Sequence, residues 1–184
     1  MKSPVGFIAR PEGGVRYKSK KGDFFTSASI EDFKATNRIA VVEEVPMRYD
    51  GPVKIGDKLL VHHNVFRFYN NTKREKTSSS SLFRDGTFII NQDQMYAWYD
   101  GEKWNAYDRF CLVKPIPLEE SDFIFGTKEQ PLTGEMWVSN SYLESYRIYE
   151  GTKVVFKPES EVEYVIDAVK VYRMTQDSIV GIIQ

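Results

Sequence analysis

The sequence predicts an all-β chain, two tandem and partly open β-barrels with long loops and little helix. Gly151–Gln184 carries the first sign. Its apolar runs Val154–Phe156, Tyr164–Ile166 and Ile179–Ile183 are separated by charged or turn-forming residues, at lengths that suit strands and fall short of amphipathic helices. The second sign is an internal repeat. Gly56-Asp57-Lys58-Leu59-Leu60-Val61 matches Gly151-Thr152-Lys153-Val154-Val155-Phe156, and Ile90-Asn91-Gln92-Asp93-Gln94-Met95 matches Met174-Thr175-Gln176-Asp177-Ser178-Ile179. The third is the scarcity of helical signals: Ser29–Lys34, with Ser29 as N-cap, and Asn140–Tyr149 each suit a short turn and no more.

In chain order, Val5–Ala9 is a short apolar run stopped by Pro11, and Phe110–Val113 is another, stopped by Pro115; each reads as the first strand of a domain. A long polar segment follows each, Glu12–Arg38 and Ile116–Glu135, before apolar residues resume at Ile39–Val42 and Met136–Val138. Loops longer than about 12–15 residues are usually functional or disordered. Gly56 and Gly151 lie 95 positions apart and Asp93 and Asp177 lie 84 apart, so the first copy holds 11 more residues between these points. The excess is placed within Tyr69–Ser81, which has no apolar face and reads as a mobile hairpin tip or a disordered insertion. Asp100-Gly101 is a turn signal near the junction, giving domains 1–104 and 105–184. No proline- or serine-rich linker separates them, so close packing is expected.

Composition narrows the classes of function. A 184-residue chain that is 41% hydrophobic and 14% aromatic supports ordered cores, and a formal net charge of -1 gives no broad attraction to nucleic acid or anionic membrane. Lys18–Lys21 is a local basic patch only. The single cysteine, Cys111, excludes an intrachain disulfide, and the N-terminus lacks a long apolar segment, so a cytoplasmic location is expected.

Catalytic chemistry has no visible address. His62 and His63 are adjacent, so on a strand they face opposite sides and do not share a metal by simple alternation. Cys111 sits in an apolar run and reads as a small buried hydrophobe. Glu119, Glu120 and Asp122 form an acidic loop read as a solvated face. Tyr96, Trp98, Tyr99 and Trp104 lack the basic surroundings of a base-stacking platform and are assigned to core and domain interface. No phosphate-binding loop or dinucleotide fingerprint is present. Neither a cofactor nor a metal is expected.

The second half resembles the chaperonin-10 family, the GroES-like co-chaperonins that cap the chaperonin folding chamber. The likeness covers Asp108–Gln184. It rests on the order of an opening Asp108–Lys114 strand, a long polar loop, Thr133-Gly134-Glu135-Met136-Trp137-Val138, Glu150–Phe156 and a closing Asp177–Ile183. Val53–Val61 in the first half resembles the family's glycine-aspartate turn before a central strand.

The resemblance implies a co-chaperonin whose mobile loop docks on a chaperonin that itself binds the ATP. The matching loop carries Phe123, Ile124, Phe125 and Gly126, and the first half offers Phe24 and Phe25 at a similar place. An apolar patch in a solvated loop gains free energy by entering a partner's groove, about 1.5–3 kcal/mol per side chain before ordering costs. The competing reading is that these side chains fold back to plug their own barrel. The resemblance also implies a homo-oligomer in which Phe110 and Leu112 of one subunit meet Ile179 and Ile182 of the next. The insertion and the divergence of the first copy suggest a bacteriophage source. The alternative function is a structural or adaptor protein of a virion that keeps the barrel without chaperonin contact.

Overall fold

The computed structural model describes residues 3–17, 36–118 and 129–183. The chain divides into two compact units, one ending at Lys103 and the other starting at Trp104. The first unit contains β1 (Phe7–Pro11), β2 (Ile39–Glu44), β3 (Lys58–Val61), β4 (Phe68–Asn70), β5 (Lys76–Ser78), β6 (Leu82–Arg84), β7 (Thr87–Ile90) and β8 (Met95–Tyr99). The second contains β9 (Trp104–Ala106), β10 (Phe110–Pro117), β11 (Glu129–Val138), α1 (Ser141–Ser145), β12 (Lys153–Phe156), β13 (Val162–Ile166), β14 (Val169–Thr175) and β15 (Ile179–Ile182). The protein is all-β: its sheet pairings are antiparallel, and α1 is the one α-helix among the described residues.

The two units repeat one strand order. In the first, strands are hydrogen-bonded in the sequence β6-β7-β1-β2-β3-β8; in the second, β13-β14-β10-β11-β12-β15. The match extends to single hydrogen bonds. The Val42 amide donates to the Asp57 carbonyl and the Gly56 amide to the Val42 carbonyl, both at 2.9 Å; Met136 to Thr152 and Gly151 to Met136 repeat them at 2.8 Å. Gly56 and Gly151 hold φ of 94° and 84°, a left-handed turn that glycine takes at no steric cost, which is why the same residue opens both strands. Likewise, the 3-10 turns Gln92–Gln94 and Gln176–Ser178 precede β8 and β15, and they accept from the His62 and Lys157 amides at 2.9 Å through Gln94 and Ser178.

Each unit encloses its own core. Phe7, Leu59, Leu60, Phe66, Phe88, Ile90 and Met95 are fully buried in the first. In the second, Cys111, Val113, Met136, Val154, Phe156 and Met174 cluster with Leu143 of α1 and Ile148. Three strand steps separate β12 from β14, about 14 Å in a flat sheet. Yet the rings of Phe156 on β12 and Tyr172 on β14 lie 6.2 Å apart. The second sheet is therefore strongly curled, and among the described residues it stops short of a barrel, with β13 and β15 as its edges.

Of the two readings of Tyr69–Ser81 the hairpin is the one found, with Tyr69 opposite Thr77 and Asn70 opposite Lys76. Other elements differ from expectation. β10 does not stop at Pro115: it runs on to Pro117 through a register shift that absorbs the missing amide donors. β14 was not among the three apolar runs read near the C-terminus. Phe110–Val113 is not an open edge, because it pairs with Thr175–Tyr172 of β14 on one side while Leu112 and Val113 meet β11 on the other. Phe110 and Leu112, expected to meet Ile179 and Ile182 of a neighbour, are buried within their own unit. Ile179 packs on the core, and Ile182 lies exposed on the edge strand β15.

Candidate functional site

The topology gives the two long connections the same place. One joins β1 to β2 and the other joins the equivalent β10 to β11. Phe24 and Phe25 lie outside the described residues, as do Phe123, Ile124, Phe125, Gly126, Glu119, Glu120 and Asp122. The described part of the site is thus the pair of stems from which the connections leave.

The second stem has a weakened backbone ladder. Pro115, Pro117 and Pro131 lie in its two strands, Pro115 faces Gly134, and Pro117 faces Glu129 across a register shift. Side chains compensate. The Glu129 carboxylate accepts from Lys170 Nζ at 2.8 Å and from the Tyr172 hydroxyl at 2.5 Å, tying the start of β11 to β14. Lys170 also reaches Glu163 Oε2 at 3.4 Å. Burial pushes the Glu129 carboxyl pKa up, but the hydrogen bonds from Lys170 and Tyr172 and the attraction of the ammonium outweigh it and hold the pKa below the usual range. The hydrogen bond to Glu129 raises the pKa of Lys170 against the opposing effect of burial, while burial and then Glu129 raise that of Tyr172.

The sign of the pH effect follows. A depressed carboxyl pKa contributes stability present above the unfolded value, about 4.3 for Glu, and lost as pH falls through the folded value. The raised Lys170 contributes stability present below about 10.4 and lost as pH climbs through its own folded value. The Glu129 side-chain carbon is therefore expected to titrate below the ordinary glutamate range by NMR, and Lys170→Met should return it toward that range. A Glu129 titration at the ordinary value in the wild type would remove the lock.

The first stem is held by an arginine. Tyr17 forms an isolated bridge with Thr36, and the Asn37 amide donates to the Arg16 carbonyl at 2.8 Å. The Asn37 side chain donates to the carbonyls of Glu12 and Val15, each at 2.9 Å. Arg16 Nε donates to the Phe66 carbonyl at 2.8 Å, and its Nη2 to the Arg67 carbonyl at 3.1 Å and Ser78 Oγ at 2.8 Å. Its guanidinium lies 3.5 Å from the Phe68 ring centroid, and the Phe68 amide donates to the Tyr17 hydroxyl at 2.7 Å. Burial lowers the Arg16 pKa, with Tyr17 acting in the opposite sense. The β4–β5 hairpin is thereby a buttress for the first stem, and residues 157–161, which stand between β12 and β13, are too short to supply one in the second unit.

These stem residues were not singled out from the sequence. Arg16 and Ser78 are 62 positions apart and Glu129 and Tyr172 are 43 apart, so no local pattern joins them. His62 and His63 also differ from expectation: β3 ends at Val61, strand alternation no longer applies, and the two rings stack with centroids 4.2 Å apart. Cys111 is buried, and burial pushes its thiol up to about 12, against the opposing effect of Arg173. Tyr96 is buried, and Trp98 and Tyr99 are half-buried. No group of three or more His, Cys, Asp or Glu residues is placed to hold a metal among the described residues. Nor, among them, is any helix long and apolar enough to cross a membrane.

No known family matches the chain, and no curated protein matches it.

Proposed function

We propose that the chain is a tandem co-chaperonin, a binding protein that caps a chaperonin chamber through apolar patches on its two long connections while the partner binds ATP. The observation that carries this reading is the duplication: one strand order occurs twice, and each copy sets its long connection between the same pair of strands. Both connections contain phenylalanines amid polar residues, Phe24-Phe25 and Phe123-Ile124-Phe125. Anchored stems reduce the chain entropy lost when such a segment docks. Two linked contacts raise avidity beyond either alone, and more follow if chains assemble.

Assembly has a physical route in β15. Among the described residues it pairs with β12 on one flank only, and it exposes Val180 and Ile182; an open apolar edge of this kind takes up another strand. Sedimentation at rising concentration is expected to show a closed oligomer, and Val180→Lys with Ile182→Lys to shift it to monomer. A monodisperse wild-type monomer at high concentration would contradict this.

The reading as a whole is tested by co-migration with a chaperonin on size exclusion. Co-migration is expected with ATP or ADP present and not without nucleotide. No co-migration under any nucleotide condition would leave a structural or adaptor role for the duplicated fold, for instance in a virion.

A further inference from the structure

β11 runs from its long connection at Glu129 to Val138, and at that far end the chain enters α1 and its exit turn. Asn140 caps the helix, accepting from the Leu143 amide at 2.9 Å, and its side-chain amide donates to the Phe110 carbonyl at 3.2 Å and Gln176 Oε1 at 3.0 Å. The segment is therefore fixed to the sheet. Leu143 and Ile148 turn into the core, and Tyr142, Tyr146 and Tyr149 turn out, at 47%, 62% and 53% exposure. Single exposed apolar residues are ordinary, but three rings within eight positions form a patch.

Tyr142 in α1 and Tyr146 just past its end stand four positions apart, with ring centroids 5.2 Å apart and planes tilted by 54°. The interaction of its hydroxyl with that of Tyr146 is the main reason the Tyr142 pKa is shifted up, and the charge of Asp177 adds to the shift. Glu144 and Glu150 are exposed beside them, and Arg147 is the one basic residue from 141 to 152.

We infer that this tyrosine surface binds an extended, proline-rich segment of another polypeptide that carries a basic residue. A polyproline II chain offers ring faces to stack on tyrosine and unpaired carbonyls to accept from its hydroxyl. The flanking carboxylates match a Lys or Arg and oppose the phosphates of a nucleic acid. An amphipathic helix needs an apolar groove, and Leu143 and Ile148, which would line one, are buried. The surface lies at the opposite end of β11 from the long connection, so it stands or falls apart from chaperonin docking.

The test is an NMR titration of the full chain with a short polyproline peptide bearing an arginine at each end. Saturable shifts at Tyr142, Tyr146 and Tyr149 are expected, and Tyr142→Ala with Tyr146→Ala should weaken binding about tenfold or more. Glu144→Gln with Glu150→Gln, both on exposed positions that leave folding intact, should weaken the arginine-bearing peptide and spare an all-proline one. Several results would overturn the inference. They are no saturable shift, an equal response to a glycine-serine peptide with the same arginines, or unchanged binding in the carboxylate variants. Concentration-dependent shifts of these tyrosines that persist in the Val180→Lys, Ile182→Lys variant would overturn it too, by assigning the patch to a second copy of this chain.

Discussion

Replacing Phe123, Ile124 and Phe125 together with serine is expected to abolish nucleotide-dependent capping of a chaperonin while changing global stability by no more than about 0.5 kcal/mol. The three side chains occupy the connection between β10 and β11, whose stem is tied down by Glu129, Lys170 and Tyr172. Removing apolar side chains that act only on a partner leaves the unit's own core, built from Cys111, Val113, Met136 and their neighbours, untouched. Docking therefore predicts lost binding at constant stability. If the same residues instead fold back as a plug, truncating them would cost about 3–5 kcal/mol for a buried phenylalanine alone. Chemical denaturation and a co-migration assay on one preparation separate the two. A destabilised variant that still caps would remove these residues from the interface.

Phe88→Ala is expected to destabilise the first unit by about 3–5 kcal/mol. Phe88 is fully buried in β7, its ring meets Phe66 edge-on at 4.8 Å between centroids, and the Arg16 guanidinium lies 5.1 Å from it. Truncation leaves a cavity beneath the first stem and removes one of the rings beside that arginine. At about 1.4 kcal/mol per tenfold, amide exchange in β1, β2 and β7 should accelerate by at least about a hundredfold. Exchange in β10, β11 and β14 should hold, because those strands pack on a separate core. Equal acceleration in both sets would mean that the two units unfold together.

What the sequence disclosed was the part of the fold written in local pattern. Val154–Phe156 and Ile179–Ile183 are compact apolar runs, and the glycines at 56 and 151 mark turns whose backbone favours that residue, so the strands they open were legible. β14 was harder to see because Lys170 and Arg173 interrupt its apolar alternation, although Val171 and Met174 are both buried. The extent of β10 was hidden by prolines that normally end strands; here the register shift lets the pairing continue. The partners of β10 within the chain were likewise not written in local pattern: β14 flanks it on one side and β11 on the other. Tyr69–Ser81 has no apolar face of its own and so read as a mobile hairpin tip or a disordered insertion. Its order comes from Arg16 and Tyr17, more than fifty positions earlier, gripping Phe68 and its neighbours. The loop locks have the same origin: they are meetings of distant side chains that no window along the chain contains.

The most direct measurement is amide hydrogen exchange across residues 120–127, compared in the free chain, with chaperonin alone, and with chaperonin plus nucleotide. Docking through Phe123, Ile124 and Phe125 predicts protection that appears only in the last condition, while the core strands β10 and β14 keep the same exchange throughout. Exchange across 120–127 that is unchanged by a nucleotide-loaded chaperonin would contradict it.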